Sequence, residues 1–435
     1  EPTKRVALRP LLMVFTFLFF CAGLVQAQEK SIRFIDSETG YAIRPEVAVD
    51  SGGSKKRVSA DLVNESGQGK LAVSRGLHRV TISSANHKPF SETLVEDGSA
   101  NPIRIFLDPI IPSPELNPNR IISRHRADAT IILGFIVDDD SGEPLENVLV
   151  SSEPSGAKTK SNARGFFELA VPLQSEVEQV SLPAKLLFEK SGYKTDERQH
   201  LELWPNGDWT YRIRLSRGSG RFEVDERETR RYSANLKSPA ILPQNSPAEA
   251  DILAGQITPL ANDEPIAEAD TAATNATIRV PRTIRVLQSD GVTIDYLPLE
   301  TYLKHVLPYE WPASWGSFSG SLETFKAGSV AGRSYAVARV NNASSSATYD
   351  ICATTSCQVY NPSGTYTATD NAINQTTGYV VVSGTSIASS EYSAENNSSG
   401  FSCGDGYTQP TGGCIFDPVC SGQVRSGHGR GMCQW

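Results

Sequence analysis

Residues 296–339 read YLPLETYLKHVLPYEWPASWGSFSGSLETFKAGSVAGRSYAVAR, and the reading of the chain turns on them. One acidic residue, Glu310, stands among Tyr309, Trp311, Pro312 and Trp315. Such neighbours desolvate a carboxylate and raise its pKa toward the range of a general acid. Before it, Pro298 opens a helix with Glu300 in the first turn, where a carboxylate serves as a structural charge. Leu299, Leu303, Val306 and Leu307 make its apolar face. Pro308 is expected to end this helix and leave Glu310 on the loop that follows. A second helix is expected from Leu322 to Val340, with a small-residue stripe of Ala327, Ala331, Ser334 and Ala338. Lys326, Ser329 and Arg333 fall on an adjacent face, as partners for Glu310 or for an anionic or polyhydroxylated ligand; a solvated helix face is the alternative.

Working outward, TIRVPRTIRVLQSDGVTIDYLP at 277–298 reads as a hairpin around Ser-Asp-Gly. Farther upstream, two segments alternate apolar and polar positions in short runs. SIRFID, EVAVD, KLAVS, HRVTIS and IRIFLD lie within 31–108, and IILGFIVD, GFFELAVP, KLLFEKSGYKT and WTYRIRLS within 130–215. The two echo each other, with DSETG at 36–40 set against DSGE at 140–143. This predicts a mostly β protein: antiparallel β-sandwich modules at 28–110 and 128–216, then a smaller α+β catalytic domain at 278–435. Residues 217–277, rich in Ala, Pro, Asn, Asp and Glu after a mixed-charge run, read as a flexible linker. His78, His87, His125 and His200 lack metal-ligand spacing. Trp204 and Trp209 flank a Pro-Asn-Gly-Asp turn and read as turn packing before a sugar platform.

The chain has 435 residues and a formal net charge of −8, with no basic stripe of the kind that marks a nucleic-acid binder. Lys4, Arg5 and Arg9 precede an apolar run from Leu11 to Val25 and a small-residue site at Val25-Gln26-Ala27. Residues 1–27 therefore read as a signal peptide, too short for a bilayer span, with an uncleaved anchor as the alternative. The expected location is exported, in the periplasm, cell wall or medium, with no membrane span after cleavage. Glu1 in place of Met suggests an incomplete start. Apart from Cys21 in the apolar run, the six cysteines Cys352, Cys357, Cys403, Cys414, Cys420 and Cys433 all follow residue 350 and in an exported chain point to disulfides. Cys352 with Cys357 is the preferred local pair; the others stay unassigned.

SGEPLENVLVSS, SNARGFFELAVP and FEKSGYKT resemble the carboxypeptidase regulatory-like, transthyretin-type module. In the last domain, Leu297-Pro298-Leu299-Glu300-x-Tyr302-Leu303, Glu310-x-Pro312-Ala313-Ser314-Trp315 and Lys326-Ala327-x-x-Val330-Ala331-x-Arg333-x-Tyr335-Ala336 resemble the stage II sporulation protein D (SpoIID/LytB, amidase enhancer) family. Tyr349-Asp350-Ile351-Cys352, Cys357-Gln358-Val359-Tyr360, Thr369-Asp370-Asn371-Ala372 and the tail His428 to Trp435 extend the likeness over about 278–435. The resemblance implies a peptidoglycan lytic transglycosylase acting on denuded glycan strands, with Glu310 as its acid. Lys326, Arg333, Tyr392, Ser393, His428 and Gln434 are the candidate substrate contacts, with an inert loop histidine as the alternative for His428. It leaves a second function open, a wall-binding protein that stimulates an N-acetylmuramoyl-L-alanine amidase, and a third, a scaffold. Asp350, Asp370, Glu391 and Glu395 read as surface or turn carboxylates. Zinc-binding relatives set histidines beside the two cysteines; here Tyr349, Asp350, Thr355 and Ser356 stand there, so no cofactor is expected. The family's Lys-Ala-Gln appears as Lys326-Ala327-Gly328, and the family runs on past the equivalent of Trp435, so the domain is expected to extend beyond it.

Overall fold

The computed structural model describes residues 28–51, 54–58, 63–73, 75–173, 182–226, 280–318, 320–344, 346–383, 386–393, 407–408, 415–416 and 431–434. The expected signal peptide, His428 and the side chains of Cys403, Cys414, Cys420 and Cys433 lie outside them. The fold is mostly strand with few helices, as the alternating pattern predicts. Its five α-helices among the described residues are α1 (Pro118–Ile122), α2 (Leu299–Lys304), α3 (Leu307–Glu310), α4 (Ser321–Asn342) and α5 (Thr367–Gln375). No described helix is long and apolar enough to cross a membrane.

Two pairs of packed sheets form the β part. Strands Glu46–Ser51, Ser54–Val58, Gly76–Ser84 and His87–Glu96 make one sheet of the first pair. Val49, Ile82 and Phe90 from it meet Phe34, Leu71 and Ile105 from the facing sheet. In the second pair, Ile132, Phe167 and Ile213 pack on Val150, Phe188 and Leu201. Alternation along each strand puts these residues on one face. The sheets are not antiparallel throughout. Strand Gln28–Asp36 runs parallel to Ile103–Leu107, and Ala129–Asp138 runs parallel to Gly207–Leu215. Each unit thus closes on its own first strand.

The internal repeat has a different register from the one the motif suggests. Asp36 accepts from the backbone of Glu38 and Thr39, and Asp138 from that of Asp140 and Ser141. Each turn ends on a glycine at positive φ, Gly40 at 77° and Gly142 at 71°. Asp36 therefore corresponds to Asp138, not to Asp140. The end of the strand, rather than the Asp-Ser pair, sets the equivalence.

The C-terminal part completes both units. Strand Ile294–Pro298 runs parallel to Ile103–Leu107, with Thr283–Leu287 and Ile351–Cys352 beyond it, so one sheet has six strands from both ends of the chain. Gly364–Thr365 adds to the edge strand Gly207–Leu215 of the second unit. Across the first junction Arg104 grips the fully buried Asp295 through two bonds of 2.6 and 2.8 Å. Gln288 and Tyr360 donate to the same carboxylate at 2.7 and 3.3 Å. At the second junction the Arg212 backbone N–H donates to Ser363 at 2.8 Å, and its guanidinium to Pro362 at 2.9 Å. One apolar core accordingly runs from the second sandwich through α2, α3 and α4.

Two details differ from the pattern reading. The segment expected as a linker begins with a strand, Arg221–Asp225, parallel to Thr195–Leu203, while 227–279 lie outside the described residues. The first apolar helix is broken in two, with Pro308 in the opening turn of α3. A proline there loses no helical hydrogen bond, so it starts a helix instead of ending one. Glu310 is the last residue of α3 rather than a loop residue.

Breaking the Arg104–Asp295 pair strands a guanidinium at the junction. Asp295→Ala is expected to lower unfolding free energy by about 3–5 kcal/mol, measured by urea denaturation.

Candidate functional site

Glu310 is held from three directions. Its backbone N–H closes the short helix onto Val306 at 3.0 Å. Its Oε1 accepts the Val359 N–H at 2.6 Å. The Gln434 side chain donates to its backbone carbonyl at 2.9 Å and also hydrogen-bonds the carboxyl. The residue is half-buried, so solvent touches part of it while the carboxyl sits among protein atoms. Burial pushes its pKa up to about 7, against the opposing pull of the Val359 and Gln434 donors. Among the described residues, no second carboxylate contributes to that shift. A carboxyl so placed is substantially protonated near neutral pH and can give a proton to a departing oxygen.

The loop that supplies Val359 is shaped by a disulfide. Cys352 and Cys357 are bonded, with Cα atoms 5.5 Å apart, as the sequence preferred. Cys352 ends a strand beside Thr283–Leu287, and the Cys357 N–H closes a turn onto Thr354 at 2.8 Å. Gln358 follows directly and is fully buried. Its carbonyl oxygen accepts Tyr302 at 2.9 Å, and its amide donates to Tyr392 at 2.7 Å and to the Gly332 carbonyl at 3.2 Å. Burial drives the phenols of Tyr302 and Tyr392 well above the usual range, and Glu310 adds to both shifts. Trp311 packs on Tyr392 with ring centroids 4.7 Å apart. Gly328 permits this wall, because a Cβ there would lie 2.9 Å from the Trp311 ring. The glycine in Lys326-Ala327-Gly328 is thus a packing requirement of this chain.

The tail returns to the same place. Tyr392–Ser393 pairs in parallel with Met432–Cys433, and the Gln434 N–H donates to the Ser393 carbonyl at 3.1 Å. Of the expected substrate contacts, Tyr392, Ser393 and Gln434 therefore gather around Glu310. Lys326 and Arg333 do not join them. Lys326 pairs with Glu323, one turn away on α4, at 2.9 Å. Arg333 is completely buried and clamps Glu300 through bonds of 2.9 and 2.7 Å, with the Tyr379 and Ile373 carbonyls as further acceptors. A buried guanidinium needs a fixed partner, and the carboxylate at the start of α2 supplies it. Glu300 is thus a structural charge, as the sequence reading had it. Ser329 hydrogen-bonds Thr376 where α5 lies against α4.

Four groups of the site were missed in the sequence: Tyr302, Gln358, Val359 and the Gly332 carbonyl. Tyr302, Gln358 and Val359 stand in the family-like runs, but nothing in their spacing marked them as neighbours of the acid. Asp370 also differs from the surface role given it: burial raises its pKa to about 7, and its Oδ1 has no hydrogen-bond partner among the described residues. A zinc site does not fit these residues. Both sulfurs of the Cys-x4-Cys element are in the disulfide, and the described residues bring no three metal-binding side chains together.

The fold and site together define a β-rich scaffold presenting a half-buried carboxylic acid, Glu310, with no second carboxylate acting on it among the described residues. The family model for stage II sporulation protein, SpoIID, matches residues 288–382, taking in Glu310, the disulfide and Gln358 but not Tyr392 or Gln434. That match implies a cell-wall-related role for this part of the chain. No curated protein matches the chain. Among solved structures it aligns with the Bacillus anthracis TIE protein at 12% identity and a TM-score of 0.17, covering 44% of this chain and 34% of that one. It also aligns with 3-chlorocatechol 1,2-dioxygenase from Rhodococcus opacus 1CP, at 16% identity, 22% and 62% coverage and a TM-score of 0.16. A third alignment is with shaft pilin SpaA from Lactobacillus rhamnosus GG, at 9% identity, 44% and 98% coverage and a TM-score of 0.14. The chain spans about a third of the first of these, and likenesses this slight bear on neither fold nor site.

Glu310 ties stability to pH. Its folded pKa, about 7, exceeds the ordinary 4.5, so its contribution is complete below pH 4.5 and is lost as pH rises through 7. Glu310→Gln has no such loss. Between pH 4.5 and pH 8 the variant is expected to gain about 1–3 kcal/mol relative to the parent, read from paired denaturation curves.

Proposed function

We propose that the protein is an exported peptidoglycan lytic transglycosylase that cuts denuded glycan strands. The observation that carries the reading is the Glu310 carboxyl, kept protonated near neutral pH by burial, with no second carboxylate acting on it among the described residues. An ordinary glycosidase needs two carboxyl groups, one as acid and one as base or nucleophile. A single carboxyl suffices when the sugar supplies its own nucleophile. Glu310 gives its proton to the glycosidic oxygen as the bond from C1 of N-acetylmuramic acid breaks. The 6-hydroxyl of the same sugar attacks C1, and the Glu310 carboxylate takes the hydroxyl proton. The products are a 1,6-anhydro-N-acetylmuramic acid end and a free 4-hydroxyl on N-acetylglucosamine; no water is consumed, and the enzyme ends in its starting protonation state.

The neighbours have matching parts. Val359 fixes one carboxyl oxygen through its backbone N–H, and Gln434 holds the residue from the other side. Tyr302 and Tyr392, kept neutral by burial, supply hydroxyls joined through Gln358. Tyr392, Ser393 and Gln434, with His428, are the substrate contacts in this reading. The sandwiches, the second of them read as carboxypeptidase regulatory-like, carry the catalytic part. Peptidoglycan strands are the partner, and an amidase that removes their stem peptides is the complementary activity.

Glu310→Gln is expected to lower release of anhydro ends from amidase-treated sacculi about 10²–10⁴-fold with the fold intact, scored by mass spectrometry of the products. Sacculus binding without anhydro ends in the parent protein, together with amidase stimulation that survives the substitution, would instead establish the wall-binding alternative. For the parent enzyme, kcat/KM should fall as pH rises through about 7, where Glu310 loses its proton.

A further inference from the structure

A cleft of about 650 Å³ opens where the second sandwich meets the C-terminal part. That size lies in the range of small-molecule sites. Its walls come from four places in the chain: the end of α1 and the residues after it, the Pro205–Asn206 turn, residues 316–318, and the start of α5. Glu310 is not among its lining residues, and nothing in the proposed mechanism uses it.

The lining has a chemical character of its own. Ile122, 45% exposed, and Pro205, Phe318 and Tyr366 offer apolar surface. Asn206, Ser317, Thr367 and Asn371 offer neutral hydrogen-bonding groups. Among the described residues, no Asp, Glu, Lys or Arg lines the cleft. Behind it, Asp208 is fully buried and accepts both His125 Nε2 and the Thr367 N–H at 3.0 Å. The aspartate thus fixes His125 at the wall, ties the turn to α5, and leaves His125 Nδ1 without a hydrogen bond among the described residues. Gly316 lies directly on Tyr366, whose hydroxyl would be 2.1 Å from an added Cβ, so the floor is tightly built.

We propose that this cleft is a second saccharide site, one that takes an uncharged amino sugar of a glycan strand. A pyranose has an apolar face for rings and aliphatic side chains and a rim of hydroxyls for amides and hydroxyls. A charged sugar would meet no Asp, Glu, Lys or Arg there among the described residues, and Asp208 already engages His125, which favours N-acetylglucosamine over a sugar bearing a carboxylate. That the strand is peptidoglycan rests on the function proposed above; the preference for a neutral sugar does not. The turn between Trp204 and Trp209 borders the site, while both indoles are fully buried and stack edge-on at 5.6 Å. The sugar platform considered for those tryptophans therefore falls to the residues beside them.

The test is calorimetric titration of the full chain with chitotetraose, oligogalacturonate and a chitosan oligomer, with hydrogen exchange at 316–318 and 366–371 as the local readout. Chitotetraose alone should bind and protect these segments. Ile122→Asp, at an exposed position, and Ala368→Trp should each weaken that protection at least tenfold, with unchanged thermal midpoints. Glu310→Gln should leave it intact. Undiminished protection in both cleft variants, absent chitotetraose binding, or tighter binding of either charged oligomer overturns the proposal. Cleavage that survives Glu310→Gln removes the enzymatic reading and leaves the cleft result standing.

Discussion

Backbone pairing between Ile103–Leu107 and Ile294–Pro298 is the contact on which the rest depends. These strands lie almost two hundred residues apart, and each gives the other the ladder partners that a buried strand must have. The Arg104–Asp295 pair sits on that junction, with Asp295 wholly removed from water. Once strand Ile294–Pro298 is set, α2 begins at its end, and the Thr301 hydroxyl reaches back to Asp108 at 2.7 Å. The helices that carry Glu310 are thereby oriented by a sheet belonging to the start of the chain. Gly364–Thr365 does the same on the other sandwich and brings α5 against α4.

A second constraint acts nearer the acid. The bond between Cys352 and Cys357 closes a short loop, and the next two residues do the positioning: Gln358 joins Tyr302, Tyr392 and α4, and Val359 meets the Glu310 carboxyl. Burial raises the pKa of that carboxyl, while its two donors act in the opposite sense. Burial wins, because two neutral donors replace only part of the hydration that the charged form loses. The cost is stability at alkaline pH, and the gain is a proton available at neutral pH.

Arg333 and Lys326 show where sequence spacing stops being informative. Seven residues apart on one helix, they share a face in any helical projection. In the fold, Arg333 lies on the buried side against Glu300, and Lys326 at the surface beside Glu323. A helical wheel gives relative azimuth but not which side is covered, and the sheets and α5 decide that. The Asp36–Asp138 equivalence has the same origin, since strand ends fix it and the repeated Asp-Ser letters mislead by two residues.

By itself the sequence determined the strand-rich class, the two related β segments, the long helix over 322–340, the Cys352–Cys357 pair and Glu310 as an acid among aromatics. These are local matters of alternation, helical period, short loop closure and immediate neighbours. Only the tertiary structure decided that the C-terminal hairpin extends the first sandwich, that Val359 meets Glu310 and that Gln358 joins Tyr302 to Tyr392. It alone brought Gln434 back to the acid and opened a neutral cleft between Asn206 and α5. Each of those joins residues tens to hundreds of positions apart, and such contacts are set by buried backbone groups needing partners and apolar faces needing cover, not by any spacing along the chain.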